Sequence, residues 1–480
     1  GAEALVHPIA SARDIEPSFD AIAYDKGAAV LAMFEQFVGP DAFQAAVRRY
    51  LAAHAGTSVD SRAFLDALAA RTRPEIAEAL ATNLGHAGTP VVELAVRCDD
   101  AGGAPAEAPA TATLVASARD GVVVPICVRY PVGAGQTRRL CLLAASHTEQ
   151  PLPAASRCPT WIAGNDGGRG YYRTVWRGPA PLAPVAALSP EERLARGDDA
   201  ALAVERGDAS FGDALAELTT LATSRDPYGE FAALELASAI DGLAPDAARP
   251  AWRAFLARRF AGRLTRAALL HPHSVIDYAV RSAVVGLARD AVDPGAVAAV
   301  RAVFDPRSLA GWDRVPLVLA TTRAGGGLFD AVVRAAAAGG EGDAREAALG
   351  ALGAFPPAFA PRVVDVLLDR RFPADQVWPA LVEMLSRGEA RSAAWRAIHA
   401  RFAGVAARLG RDGMRDALAA LSVLCDADAR AELAGDAAPL VGATSERRRI
   451  LDRSLATIDR CLARRAAAGD LASALAAARL

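Results

Sequence analysis

The sequence predicts a mostly helical protein that contains one small all-β domain. Apolar residues follow a helical period up to about residue 88, and helical patterning returns from Leu188 to the end. Between them, from 90 to about 182, lie short β-branched and aromatic runs separated by turn residues. A chain of 480 residues is longer than a domain built on a single hydrophobic core. We therefore predict three domains, at 1–88, 89–184 and 185–480.

The first 88 residues are predicted to form helices joined by short turns. From residue 19 to 37 the apolar positions approximate the 3.6-residue period of a buried helix face. Gly39, Pro40 and Asp41 then end one helix and start the next. Asp60 is the expected cap of a third helix. This part is therefore predicted to contain no strand.

The middle of the chain is predicted to be a small β-sandwich. Its strands are expected at 91–96, 110–115, 122–130, 138–143 and 171–176. Segments 101–105 and 165–168 are rich in glycine and are its expected turns. Five or more strands at this spacing are typical of two packed sheets.

The remainder is predicted to be an array of paired helices. Ser189 is placed to cap its first helix, with Pro190 at the first helical position and Glu192 closing a capping box. Helices of roughly 12 to 20 residues then follow one another without a strict repeat. This pattern resembles a degenerate solenoid of the HEAT kind, whose stacked helix pairs form a concave surface.

Charge and hydropathy exclude two classes of partner. The formal net charge is −2, and no single-sign field of the kind that binds nucleic acid is expected. No segment approaches the roughly 18 uninterrupted apolar residues of a membrane span. We therefore expect neither nucleic acid nor a membrane as partner, while the cellular compartment stays open.

The six cysteines form no C-x-x-C pair and no zinc-finger spacing. We interpret them as small buried hydrophobic residues. Four of them fall within about sixty residues, so a disulfide is compatible with the spacing, although a chain of this size does not require one.

Lys26 is the one lysine of the chain, since every other residue counted as Lys or Arg is arginine. A compact ammonium does not fit where a planar guanidinium does. Either arginine cannot serve at this position, or one lysine has survived by chance; the residues alone leave both open.

Several stretches occur in an order that resembles a known family. The segment from Phe19 to Gly27 contains the pattern F-x-x-I-x-Y-x-K-G. Gly88 to Val92, then 161–165 with 170–175, and finally 188–207 resemble the family's later segments. On these segments the chain resembles the C-terminal part of zinc aminopeptidases of the alanyl and puromycin-sensitive type, which are gluzincins.

The resemblance implies a helical end of a thermolysin-like catalytic domain, a β-sandwich, and a HEAT-like C-terminal domain that closes over the active site as a bowl. It implies that Tyr24 donates its hydroxyl to the tetrahedral intermediate of peptide hydrolysis. None of the seven histidines stands in H-E-x-x-H, and the family's G-x-M-E-N loop is missing. Zinc and its ligands are therefore expected in an N-terminal half of the parent protein, which would be this chain's partner together with peptide substrates, and this chain alone is expected to be inactive.

Other motifs favour structural interpretations. His271-Pro272-His273 is predicted to be a helix-joining turn rather than a metal site, and Gly325-Gly326-Gly327 a flexible turn. Arg447 to Arg449 are predicted to be solvated, and Tyr171 and Tyr172 to pack. Lys26 is predicted to be packed or anchored at the surface, and Gly27 to allow the close approach of a neighbouring helix. The alternatives to an enzyme part are a stand-alone helical-repeat module that binds peptides or proteins, and an inactive homologue.

Overall fold

A computed structural model of the chain describes residues 4–6, 22–98, 112–133, 135–153, 158–178, 181–264, 274–303, 326–338, 343–441 and 446–478. The chain divides into two compact units, Gly1–Asp199 and Ala200–Leu480. Within these ranges helices dominate and every strand lies between Val91 and Trp176, so the predicted fold class is confirmed. The boundaries of the three predicted domains stay a prediction. No helix in the described ranges is long and apolar enough to span a bilayer.

In the described part of the first unit, a turn of π-helix is followed by four α-helices. The π-helix is Ile22–Lys26, followed by α1 (Gly27–Val38), α2 (Pro40–Ala53), α3 (Ser61–Ala69) and α4 (Pro74–Gly85). Gly39 has φ of 96° between α1 and α2, a conformation that glycine adopts at no steric cost. The Asp60 carboxylate accepts the Ala63 N–H at 3.0 Å, which confirms Asp60 as the predicted cap of α3.

Six strands follow in two sheets. They are β1 (Val91–Cys98), β2 (Ala112–Ala118), β3 (Val124–Gly133), β4 (Gln136–Ala144), β5 (Thr148–Pro151) and β6 (Arg173–Trp176). One sheet has the order β5-β2-β1-β6, in which β6 is parallel to β1 and the other pairs are antiparallel. The second sheet is the antiparallel pair β3-β4. The sequence did not predict β5, because Thr-Glu-Gln-Pro lacks a β-branched or aromatic run.

Helices and sheets of the first unit share one apolar core. Phe34 of α1, Leu80 of α4, Leu114 of β2 and Ile126 of β3 are all fully buried in the same cluster. In β2 alternate residues are buried, as the two-residue period of a strand requires. The helices are therefore held by the same apolar contacts that hold the sheets together.

The capping box predicted at Ser189 is present and has a second role. Glu192 accepts the Ser189 N–H at 2.7 Å, and the Ser189 hydroxyl accepts the Glu192 N–H at 3.2 Å. The same Glu192 carboxylate is buried and forms an ion pair with Arg129 of β3. Arg129 also donates to the Ala187 carbonyl at 2.9 Å. This helix start is thus tied directly to the second sheet.

Fifteen further helices have described bounds. They are α5 (Pro190–Arg206), α6 (Phe211–Leu221), α7 (Pro227–Leu243), α8 (Arg249–Arg259), α9 (Val275–Leu287), α10 (Pro294–Val303), α11 (Gly326–Ala338), α12 (Asp343–Ala351), α13 (Ala360–Leu368), α14 (Ala374–Ser386), α15 (Gly388–His399), α16 (Phe402–Ala420), α17 (Ala427–Ala437), α18 (Glu446–Ala468) and α19 (Leu471–Ala477). Short connections join many of them, and Gly410, with φ of 68°, kinks α16.

Three arginines surround the C-terminal end of α7. Arg391 donates to the Gly242 carbonyl at 3.2 Å, Arg465 to Leu243 at 2.7 Å and Arg249 to Ala244 at 3.0 Å. The last carbonyls of a helix have no partner within the helix and carry its negative dipole end. Guanidinium groups from α8, α15 and α18 therefore join at this helix end.

Gly388, the first residue of α15, is required at this junction. A Cβ on Gly388 would overlap the Arg249 guanidinium and the Asp241 carboxylate. Those groups pair at 3.0 Å, and Asp241 also accepts the Trp252 indole N–H at 3.1 Å. Both charged groups are largely buried and engaged, so neither can move aside without losing a partner.

The cysteines correct the sequence interpretation. All six are paired, as Cys98–Cys158, Cys127–Cys141 and Cys425–Cys461. Only Cys127 and Cys425 are buried. The pairing depends on tertiary structure, because β3-β4 register sets Cys127 directly opposite Cys141 and the other partners are 60 and 36 residues apart in the chain. Sequence spacing alone could not establish it.

We expect no free thiol in the chain when it is produced under oxidising conditions, where disulfides persist. Alkylation of the denatured, unreduced chain should add no mass, and alkylation after reduction should label six cysteines. The measurement is intact mass spectrometry, with the reduced sample as its control. Two or more reactive thiols before reduction would contradict the assigned pairs.

We expect Gly388→Ala to lower the free energy of unfolding by about 1–3 kcal/mol, because the new methyl group overpacks a satisfied ion pair. The matched control is Gly435→Ala in α17, where no described atom lies within 4 Å of the added Cβ. That change should stabilise by up to about 1 kcal/mol through helix propensity. Urea unfolding midpoints measure both; equal effects would show that the junction at Gly388 tolerates a side chain.

Candidate functional site

Tyr24 lies in the π-helical turn Ile22–Lys26 that leads into α1. Its side chain is 63% exposed, and no hydrogen bond joins it to the described residues. Such single π turns are rare and occur frequently at functional sites. Tyr24 is the catalytic candidate that the sequence indicates, and its hydroxyl is accessible to a molecule approaching this turn.

Lys26 lies two residues further along the same turn but faces the interior. It is 7% exposed, and its Nζ donates to the His86 carbonyl at 2.6 Å. The ammonium also lies 6.0 Å from the centre of the Tyr171 ring, within the range of a cation–π contact. Burial lowers the pKa of Lys26. The residue is packed, in agreement with the structural interpretation of the sequence.

The bond between Lys26 and His86 is favoured by the end of α4. His86 is the residue that follows α4, where unpaired carbonyls and the negative dipole end attract a cation. The Leu5 and Val6 N–H groups donate to the Leu84 carbonyl in the same place, at 2.9 and 3.3 Å. Burial and the Lys26 charge lower the pKa of the His86 imidazole. The N-terminal segment and the π turn are thus both attached to the end of one core helix.

The paired tyrosines pack, as predicted. Tyr172 is 5% exposed, its hydroxyl donates to the Gly164 carbonyl at 3.0 Å, and burial raises its pKa. Tyr171 is half-buried and lies near Lys26, and its hydroxyl lies 3.4 Å from the Thr89 hydroxyl. The contact between Tyr171 and Lys26 joins residues far apart in sequence, and no local signal indicates it.

Gly27 does not have the predicted role among the described residues. A Cβ there would lie 3.8 Å from the Leu5 Cδ2 atom, which is an ordinary contact. The expected close helix contact is therefore not found among the described residues.

The described residues contain no group of three His, Cys, Asp or Glu side chains that could hold a metal ion. Catalytic zinc needs three protein ligands, so this part of the chain does not fit a zinc site. His271-Pro272-His273 lies outside the described residues. Gly326 and Gly327 are the first residues of α11, so the predicted flexible turn is wrong for these two glycines, and Gly325 lies outside the described residues. Arg448 pairs with Asp452 at 3.2 Å.

A cavity of about 370 Å³ lies in the second unit, beside the capped end of α7. Its lining includes Arg249, Arg391 and Arg465. Each of these donates to a carbonyl of the α7 end. Burial and the neighbouring Arg249 charge lower the pKa of Arg391 to about 10. We assign these arginines to the helix end, because their donors are engaged there.

Two family models match the chain. Residues 2–83 match the peptidase family M1 domain, and residues 161–460 match the ERAP1-like C-terminal domain. The first match contains Tyr24 and Lys26, and the second contains β6 and α5 to α17. A comparison with curated proteins gives no match.

We expect Tyr24 to be among the first tyrosines nitrated by tetranitromethane in the folded chain, because it is 63% exposed whereas Tyr130 and Tyr172 are 0% and 5% exposed. Peptide mass mapping after brief treatment measures the order, and the two buried tyrosines are internal controls. Nitration of Tyr24 no faster than of Tyr130 would show that the π turn does not expose it.

Proposed function

The chain belongs to the M1 aminopeptidases, of which it forms a C-terminal part, and we propose that it serves a zinc enzyme that removes N-terminal residues from peptides. In this proposal Tyr24 supplies an oxyanion-stabilising hydroxyl and the helical part limits access to the active site. The partners are peptide substrates and the N-terminal catalytic half of the parent; neither nucleic acid nor a membrane is among them.

The observation that carries the proposal is the contrast between Tyr24 and Lys26. One side chain of the π turn is exposed and the other is buried against the end of α4. A phenol on an anchored turn keeps its direction when a substrate arrives. Such preorganised donors are worth more than flexible ones, because they need no reorganisation during the reaction.

The chemistry required of Tyr24 is simple. Attack of water on a peptide carbonyl converts its oxygen into an oxyanion, and a neutral O–H donor within hydrogen-bond distance stabilises that charge. The hydroxyl keeps its proton throughout, so Tyr24 acts as a donor rather than as a general acid.

Zinc, when bound in the parent, would polarise the carbonyl as a Lewis acid. No donor set in the described part of this chain would hold it. In this proposal the metal ligands and the general base come from the other half of the enzyme, and this chain by itself is inactive.

We expect Tyr24→Phe to lower kcat by about 10²–10³-fold in the full-length protein, with KM changed little, because the change removes one oxyanion donor and leaves the ring in place. The measurement is hydrolysis of an aminoacyl anilide with and without a zinc chelator. Tyr50→Phe is the matched control, because Tyr50 lies in α2 and its ring packs on Phe64. The activity of the Tyr50→Phe variant should equal that of the unchanged protein.

Two outcomes would overturn the proposal. The first is an inert full-length protein, which would favour a helical-repeat scaffold that binds peptides, or an inactive homologue. The second is a zinc-dependent enzyme whose rate is unaffected by Tyr24→Phe. The 480-residue chain assayed alone should give no turnover.

A further inference from the structure

We propose that Lys26 is a positioning residue for the reaction, which fixes the Tyr24 hydroxyl by anchoring the π turn to the end of α4. The inference rests on the proposed function of Tyr24. Lys26 itself touches no reacting atom in this proposal, because its side chain faces the interior while that of Tyr24 faces outward.

The anchor point is part of a rigid element. Lys26 donates to the carbonyl that follows α4, and α4 packs through Ile76 and Leu80 into the core shared with the sheets. The π turn is continuous with α1, which is fixed in the same core by Phe34. Tyr24 is therefore held between two elements that cannot shift independently.

The turn itself needs an anchor. A π turn accommodates one more residue than an α turn, and such turns are rare in proteins. If the bond from Lys26 is lost, the turn can rewind into the α-helical register, which rotates Tyr24 about the axis of α1. A displacement of about 1 Å at a catalytic group costs up to about 10²-fold in rate.

The chemistry of the anchor explains the residue type. Elsewhere in this chain an arginine at a helix end can span two carbonyls: Arg387 donates to both Ala354 and Phe355, at 3.1 and 2.6 Å. Lys26 offers a point charge at the end of an unbranched stem to the His86 carbonyl, beside the Tyr171 ring. An arginine guanidinium is planar and wider than the ammonium that fits beside the His86 carbonyl. The single lysine of the chain therefore lies at a position where arginine would not substitute for it.

The test compares Lys26→Met and Lys26→Arg in the full-length protein. Lys26→Met keeps an unbranched apolar stem and removes the ammonium, whereas Lys26→Arg keeps the charge and changes its shape. We expect both to lower kcat by about 10–100-fold with KM changed less than about twofold. A double-mutant cycle with Tyr24→Phe then asks whether Lys26 acts through Tyr24: in that background Lys26→Met should cost less than about twofold.

Gln36→Met is the matched control. Gln36 lies toward the other end of α1 and its Nε2 donates to the Asp166 carbonyl at 2.7 Å, so this variant, like Lys26→Met, loses a bond from a side chain to a distant carbonyl. It should lower the unfolding midpoint to a degree similar to Lys26→Met while leaving kcat unchanged. Thermal unfolding of each variant separates loss of folded protein from loss of rate.

The outcomes distinguish failure of the proposed function of Tyr24 from failure of the positioning role of Lys26. If Tyr24→Phe leaves the rate unchanged, the proposed function fails and the positioning role fails with it. If Tyr24→Phe lowers kcat but Lys26→Met does not, only the positioning role is overturned. It is also overturned if the loss caused by Lys26→Met persists in full in the Tyr24→Phe background, or if Lys26→Arg restores kcat.

Discussion

Cationic side chains that donate to the free carbonyls of helix ends recur in both units, and each unit's packing depends on them. Lys26 binds the carbonyl after α4 in the first unit, while Arg249, Arg391 and Arg465 bind the end of α7 in the second. Buried carbonyls without partners are costly, and a helix of any sequence leaves four of them at its end. A cation from another helix satisfies them and meets the favourable end of the helix dipole, so one interaction both caps a helix and fixes its neighbour.

This constraint explains why so many charges are buried. Arg387, whose pKa is lowered to about 10 chiefly by burial, donates to two consecutive carbonyls. Arg263 donates to Ala222 and Ser224 after α6 and also pairs with Glu230. Removing water from a guanidinium is unfavourable, and these bonds compensate for it only where the geometry is maintained. The helix array is therefore specified by polar contacts as well as by apolar packing.

In the first unit, a contact of the same kind between a cation and a helix-end carbonyl lies next to the candidate site. The turn that exposes Tyr24 is attached through Lys26 to a helix whose other face lies in the core shared by the sheets. Because that core includes residues of both sheets, the position of Tyr24 is coupled to the β domain although no strand approaches it in sequence. A turn attached to helices and sheets that share one core can present a side chain more rigidly than a loop can.

The sequence by itself determined the elements whose signals are local. The cap at Asp60, the capping box of Ser189 and Glu192, and the five strands other than β5 were predictable because each depends on neighbours within a few residues or on a short period. The Y-x-K-G segment indicated Tyr24 only through the resemblance to a family, and the catalytic role of Tyr24 stays a prediction. Only the tertiary structure decided the cysteine pairs, the pairing of the short β5, and the carbonyl that Lys26 binds, sixty residues away. These contacts join segments that are distant in the chain. Every residue has a backbone carbonyl, so the sequence does not show which carbonyl a distant side chain binds.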